Sequence, residues 1–271
     1  MKIEHPQSTA DFLARAGDFL SEHEAEHGLV LGVARAASPT PTGAYFAVVV
    51  ADGKPVAAAM RLDWRLILSR AAIVDAIELL SADAANPQLR TVLGPSPCVE
   101  RFMSASKQEW RTVMMQGIYE CRSVKMPTGV DGLRRLATPN DRARLTEWLR
   151  AFIAEAMHEE ISDTAAMARV DDHVSAGDFQ VWEVGGDIVS LAAAVAPTPH
   201  GIRVNHVYTP PRLRGHGYAS ALVGSLTQTL LDGGYRFAFL HTDLANPTSN
   251  RIYMRLGYRQ VATFHASQRS T

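Results

Sequence analysis

Hydrophobic positions along the chain fall into two passages built on one plan. In "AYFAVVVADGKPVAAAMRL" a run of β-formers meets an Asp52-Gly53 turn and is followed by a second apolar run, the signature of a hairpin. "FQVWEVGGDIVSLAAAVAP" repeats the plan around Gly185-Gly186. After the first hairpin the period turns helical in "AAIVDAIELLSA", strand-like in "RTVLGP", helical again through "CVERFMSASKQEW" and strand-like in "YECRSVKMP". Proline and glycine interrupt both periods between Met126 and Gly132. The pattern predicts an α/β (α+β) chain of two related units, residues 1–126 and 131–271, each a mixed sheet with flanking helices.

The second unit reads more finely. Thr138 is a candidate N-cap, Pro139 takes the first helical position, and Leu145, Trp148, Leu149, Phe152, Ile153 and Ala156 form one apolar stripe. Beyond the glycine hairpin comes a strand, Ile202 to Tyr208, then "TPPRLRGHG". A helix follows with the stripe Ala219, Leu222, Val223, Leu226 and Leu230, stopped by Gly233-Gly234. "YRFAFLH" is the next strand, and "NPTSNRIYMRLG" is a helix capped by Asn246, begun by Pro247 and ended by Gly257.

Composition narrows the function classes. The 271 residues can bury a large core, and 27 basic against 28 acidic residues leave a formal charge of -1, so no whole-chain field draws nucleic acid or an anionic membrane. The amino-terminal stretch "MKIEHPQSTADFL" has no apolar leader segment, and the longest apolar run, "YFAVVVA", is far short of a bilayer span. Cys98 and Cys121 have neither metal-ligand nor disulfide-framework spacing. The expectation is a cytoplasmic protein with no nucleic-acid or membrane partner and no metal.

The chemistry concentrates in "RLRGHGYASAL", Arg212 to Leu222, where a strand hands over to a helix. Gly215 and Gly217 stand at a helix mouth, where backbone N–H groups lack intrahelical partners and the helix dipole is positive. A phosphate placed there collects several hydrogen bonds, glycines let it approach, and Arg212 and Arg214 add charge. A dinucleotide fold also uses such a loop, with a third glycine and an acid about 20 residues on. Here Ser220 takes the third position, and only some 50 residues follow Gly217, too few for the rest of a doubly wound sheet.

"VYTPPRLRGHGYASALV" resembles the acetyl-CoA-binding segment of the GNAT acetyltransferases, Arg212-x-x-Gly215-x-Gly217 matching their Q/R-x-x-G-x-G/A signature. "NPTSNRIYMRLGYRQV" is similar to the segment that follows it in the family, with Asn246, Tyr253 and the Leu256-Gly257-Tyr258 turn in place. The resemblance covers residues 131 to 265. The first half is similar in element order alone and lacks the glycine motif, like a degenerate tandem copy. The resemblance implies two GNAT-like units and transfer of an acyl group from acetyl-CoA, as co-substrate, to a primary amine of a small molecule or peptide. It implies cofactor contacts at Val207, Tyr208, Arg212, Arg214, Gly215, His216, Gly217, Tyr218, Ala219, Asn246 and Ser249. The strand Asn205 to Tyr208 would pair by its backbone with the pantetheine arm, and Tyr253 would donate to the departing sulfur. His206, beside the expected thioester, is the candidate base, with a water chain as the alternative. The rival reading is a non-catalytic acyl-CoA-binding protein whose first half docks a partner.

Other features read more blandly. His158, Glu159 and Glu160 form a solvated cluster, since Ser162 stands where a zinc motif needs its second histidine. Asp171 to His173 reads as a solvated loop. Trp182 fits either core or acceptor-pocket wall, and Pro247 excludes glycosylation at Asn246.

Overall fold

The computed structural model describes residues 1–270, and the same succession of ten elements occurs twice in it. The first is β1 (Lys2–Glu4), α1 (Thr9–Ser21), α2 (Gly28–Ala36), β2 (Tyr45–Ala51), β3 (Lys54–Arg61), β4 (Arg65–Leu68), α3 (Asp75–Asp83), β5 (Thr91–Pro95), α4 (Ser96–Ala105) and β6 (Trp110–Cys121). The second is β7 (Leu133–Leu136), α5 (Arg142–Met157), α6 (Asp163–Ala176), β8 (Phe179–Val184), β9 (Asp187–Val195), β10 (Gly201–Tyr208), α7 (Tyr218–Asp232), β11 (Phe237–Asp243), α8 (Pro247–Arg255) and β12 (Arg259–Arg269).

All twelve strands form one sheet, in the order β1-β2-β3-β4-β5-β12-β6-β11-β10-β9-β8-β7. The two repeats exchange their last strands. β12 lies against β5 of the first repeat, from Phe264↔Pro95 to Gln268↔Thr91, while β6 lies against β11 of the second, from Ala238↔Cys121 to Asp243↔Gln116. The exchanged strands pair with each other antiparallel. Helices cover both faces: α1 and α2 pack over Phe46, Val48 and Met60, while α3 and α4 pack over Val49, Ala57 and Val92 on the opposite side. Strands covered on both faces bury consecutive residues, which is why Phe46–Val49 and Ala57–Met60 are apolar runs and not alternations.

The helix ends follow their sequence signals. Thr138 and Asp141 close a capping box around the 3-10 turn Pro139–Asp141 that opens into α5, and Asn246 caps α8, its side chain accepting from Ser249 N at 3.1 Å. Two expectations are corrected. The helix expected to reach Trp110 stops at Ala105, because residues 110–116 are drawn into β6 by pairing with β12, about 150 residues away. Asp171 to His173, expected in a loop, lie on α6, where Ser162 caps the helix and Gly177 ends it in a left-handed turn. Asp171 there binds Arg142 at 2.6 Å and His173 binds Asp178 at 2.8 Å.

The linker between the repeats is pinned. Lys125 N donates to Leu256 O at 2.9 Å, and Trp182 Nε1 donates to Asp131 O at 2.8 Å. Trp182 is thereby a buried core residue.

Candidate active site

β10 is the strand on which the site is built. It pairs parallel with β11 for three positions, Gly201↔Phe237 to Arg203↔Phe239, and then parts from it. β11 continues along β6 as far as Asp243, so the two parallel strands open like a V. On its other side β10 follows β9 to Asn205↔Ala193, slips, and resumes at Tyr208↔Leu191. His206, in the slip, has φ +51°, a left-handed backbone unusual for a residue with a Cβ. From Val204 onward the β11-facing edge of β10 has no strand partner, which leaves room for an extended ligand to bond the backbone as a neighbouring strand would.

At the open end stands the glycine loop. A 3-10 turn, Pro211–Leu213, leads into Gly215 at φ +86° and Gly217 at φ +81°, and α7 starts at Tyr218. No side chain caps α7, so its first N–H groups remain available at the positive end of a 15-residue helix. A Cβ at Gly215 would meet nothing within 4 Å, whereas one at Gly217 would touch Val130 Cγ2 at 3.0 Å. Gly217 therefore answers to its own backbone and to Val130, and Gly215 borders the open approach.

The two arginines differ. Arg214 is turned back on the protein, donating to Thr209 O at 2.8 Å and Glu155 at 2.7 Å and lying over the Tyr208 ring at 5.8 Å. Arg212 is exposed and makes no hydrogen bond or ion pair among the described residues. His216 stacks on Tyr218 at 5.4 Å. Val207, Tyr218 and Leu222 belong to the same apolar cluster as Tyr253. Asn246 and Ser249 face each other across the first turn of α8, and Ala219 is half-buried in the first turn of α7.

Tyr253 is 8 % exposed, with its ring edge-on to Tyr258 at 5.9 Å. Burial pushes its phenol well above the ordinary value, so it holds its proton at any physiological pH. His206 projects to the other face, among Phe152, His173 and Phe179, with ring centroids 5.2 to 5.6 Å away. Burial, with His173, Arg203 and Arg169 nearby, pulls its pKa down to about 3, and its Nδ1 has no hydrogen-bond partner. The imidazole is neutral and only weakly basic.

Sequence reasoning passed over Arg203 and His241, whose Nε and Nε2 atoms are sealed from solvent and unpartnered at the foot of the V. The available signal was a charged residue inside the apolar run "GIRVNHVY". It also passed over Glu155, which holds Arg214, and Glu24. Glu24 reaches from the α1–α2 turn to accept from His200 N at 2.6 Å and Gly201 N at 3.0 Å, fixing the start of β10.

In the first repeat β4 and β5 likewise pair in parallel for three positions, and a Cβ on Gly94 of β5 would lie 2.8 Å from Leu68 O of β4. Val74 precedes α3 without any glycine loop. A cavity of about 370 Å³, lined in part by Glu24, Glu26, Arg122 and His200, lies at the opposite end of β10 and β11. Ligands of parallel strands bind beyond their carboxyl ends, which makes the V and its loop the candidate site. The described residues include no cluster of three or more His, Cys, Asp or Glu able to hold a metal ion.

Residues 142–258, which carry β10, the loop, α7, β11 and α8, match the family model of the Acetyltransferase (GNAT) family. Over this segment, less than half of the chain, the sequence is similar to that family. The rat protein "N-acetyltransferase family 8 member 2" is 27% identical over 131 residues, a match spanning 46% of this chain and 56% of that protein. The chain thus spans about half the length of this relative. A GCN5-related N-acetyltransferase from Sphaerobacter thermophilus shares the fold with a TM-score of 0.67 at 17% identity, over 98% of this chain and 94% of that one. A tandem GNAT protein from the clavulanic acid biosynthesis pathway gives a TM-score of 0.55 at 13% identity, with 98% of each chain covered. The fold shared with these two structures extends over both repeats. No helix among the described residues is long and apolar enough to cross a membrane.

Proposed function

We propose that the chain transfers the acetyl group of acetyl-CoA to a primary amine of a small molecule or peptide. The observation that carries this reading is the parting of β10 from β11 directly beside the uncapped start of α7. Acetyl-CoA supplies an acyl group activated as a thioester. The N–H groups around Gly215, His216, Gly217, Tyr218 and Ala219, with Arg212, bind its pyrophosphate. Arg214, tied to Glu155, stiffens that loop, and the free edge at Val207 and Tyr208 takes the pantetheine amides. Asn246 and Ser249 border the far side of the same opening.

The acceptor ammonium first loses a proton, its nitrogen then bonds to the carbonyl carbon, and the carbon–sulfur bond breaks. Tyr253, protonated in its apolar surroundings, donates to the sulfur as charge develops there. His206 is held too weakly basic to strip an ammonium at neutral pH and serves as a neutral hydrogen-bonding group toward the amine, with water carrying the proton away. In this reading residues 1–126 wall the acceptor side and residues 131–271 hold the cofactor. The two buried free thiols fit a reducing, cytoplasmic setting.

The test is incubation with acetyl-CoA and a metabolite extract, followed by mass spectrometry for products heavier by one acetyl group. Acetylated amines above a protein-free control are expected. Tight acetyl-CoA binding with no product in small-molecule or peptide fractions would leave the acyl-CoA-binding reading in its place.

A further inference from the structure

Arg203, His206 and His241 gather on one face of the sheet where the V begins. Val204, Ala238 and Leu240 point into the apolar cluster on the α7–α8 side, so by strand alternation Arg203, Phe239 and His241 point to the other side. That side is covered by α2 of the first repeat, where Gly28 lies against Phe239, and by α5 and α6, which bring Phe152 and His173 to His206.

Three polar atoms there are cut off from solvent without a partner: Arg203 Nε, His206 Nδ1 and His241 Nε2. Arg203 makes no hydrogen bond or ion pair among the described residues. Burial alone moves its pKa, down to about 10, with no carboxylate opposing the shift. Its charge in turn helps hold both imidazoles neutral. Asp178 approaches the same face but is taken by His173 Nδ1 at 2.8 Å. Arg203 is only partly buried, yet its Nε is sealed from solvent and no carboxylate pairs with its charge, which leaves an unpaired cation beside two unpartnered imidazoles. An anion placed there would supply the partner that the protein does not.

Building on the acetyl-transfer reading, we propose that the acceptor carries a carboxylate besides its amine, and that Arg203, with His241 beside it, holds that carboxylate on the α5–α6 face. The guanidinium fork suits a carboxylate, and a neutral imidazole adds one N–H donor. The reacting amine must reach the stretch of β10 around His206, three residues from Arg203. At the rise of a strand this is at most about 10 Å. The span fits a small amino acid better than a lysine side chain of a folded protein.

The experiment compares α- and ω-amino acids of two to six carbons with their methyl esters, by thiol release with acetyl-CoA and by calorimetric binding in the presence of CoA. The free acids should exceed the esters in kcat/KM by about 10- to 100-fold, the range for a hydrogen-bonded charged group. In R203Q this ratio should collapse toward one, mainly through KM, while the acetyl-CoA dissociation constant stays within about twofold. R203K, which keeps charge without the fork, should fall between. Equal use of acids and esters by the unaltered protein overturns the inference whether or not the variants fold, as does an R203Q that keeps the preference. Better use of amino-terminal acidic peptides than of any free amino acid overturns the small-acceptor assignment. Carboxylate-selective binding without thiol release upholds this inference and sinks the transfer reading, and efficient turnover of amines lacking a carboxylate does the reverse.

Discussion

Replacing Tyr253 by Phe removes one oxygen from a residue whose ring packs edge-on to Tyr258 and whose hydroxyl has no hydrogen-bond partner in the described structure. Deleting an unsatisfied hydroxyl costs no internal bond, so stability should change by less than about 1 kcal/mol. The kinetic effect separates two roles. If the hydroxyl only donates a hydrogen bond to the developing thiolate, its loss removes a charged hydrogen bond of about 1.5–3 kcal/mol, or roughly 10- to 150-fold in kcat. If it delivers the proton in the transition state, general acid catalysis puts the loss near 10²–10⁴-fold. Burial raises the phenol pKa and makes it a poorer acid, but the same apolar surroundings raise that of the departing thiol, so the two stay matched. The assay is steady-state thiol release with a saturating acceptor, alongside acetyl-CoA affinity and thermal melting of Y253F. Unchanged kcat in a folded variant would refute the assignment and leave the thiolate to backbone donors or water.

Two further outcomes follow from the same geometry. Gly217→Val forces a β-branched residue to φ +81° and against Val130 at 3.0 Å. The misdirected N–H groups at the head of α7 should weaken acetyl-CoA binding by about 10- to 100-fold in calorimetry, and undiminished affinity would remove the loop from the binding site. Glu24 is buried, which by itself would raise its pKa, but hydrogen bonds from Thr198, His200 and Gly201 outweigh this and lower it. Its contribution is thus complete above the unfolded carboxylate value of about 4.3 and is lost as pH falls through the lower folded value. Glu24→Gln should cost about 2–3 kcal/mol at pH 7 and flatten the acid limb of a denaturation series, and an acid limb identical to that of the parent would contradict the brace.

The glycine loop and the caps were legible because they are local: Gly217 must be left-handed whatever surrounds it, and Asn246 bonds a donor three residues away. The hairpins were legible from their turns. β6 was not, since Trp110 to Gln116 become a strand through a partner near the other end of the chain. The position of His206 was readable, but not its basicity, which depends on Phe152, His173 and Phe179 arriving from α5, α6 and β8. Arg203 was passed over because its Nε is sealed off only once helices from both repeats, α2 and α5, pack against β10.

The exchanged strands bear on how the chain is made. While a ribosome works forward, β5 and β6 are finished early, yet the strand that belongs between them, β12, is the last to emerge. About 140 residues separate the end of β6 from the start of β12. At synthesis rates of about 5–20 residues per second, the nascent first repeat waits some 7–30 s with a bare sheet edge at β5. Edges of that kind recruit neighbouring chains, and on a polysome the nearest neighbours are copies of the same chain. The arrangement makes correct assembly a race between the arrival of the chain's own last strand and capture by another copy's, in which slower translation of the second repeat favours the wrong partner.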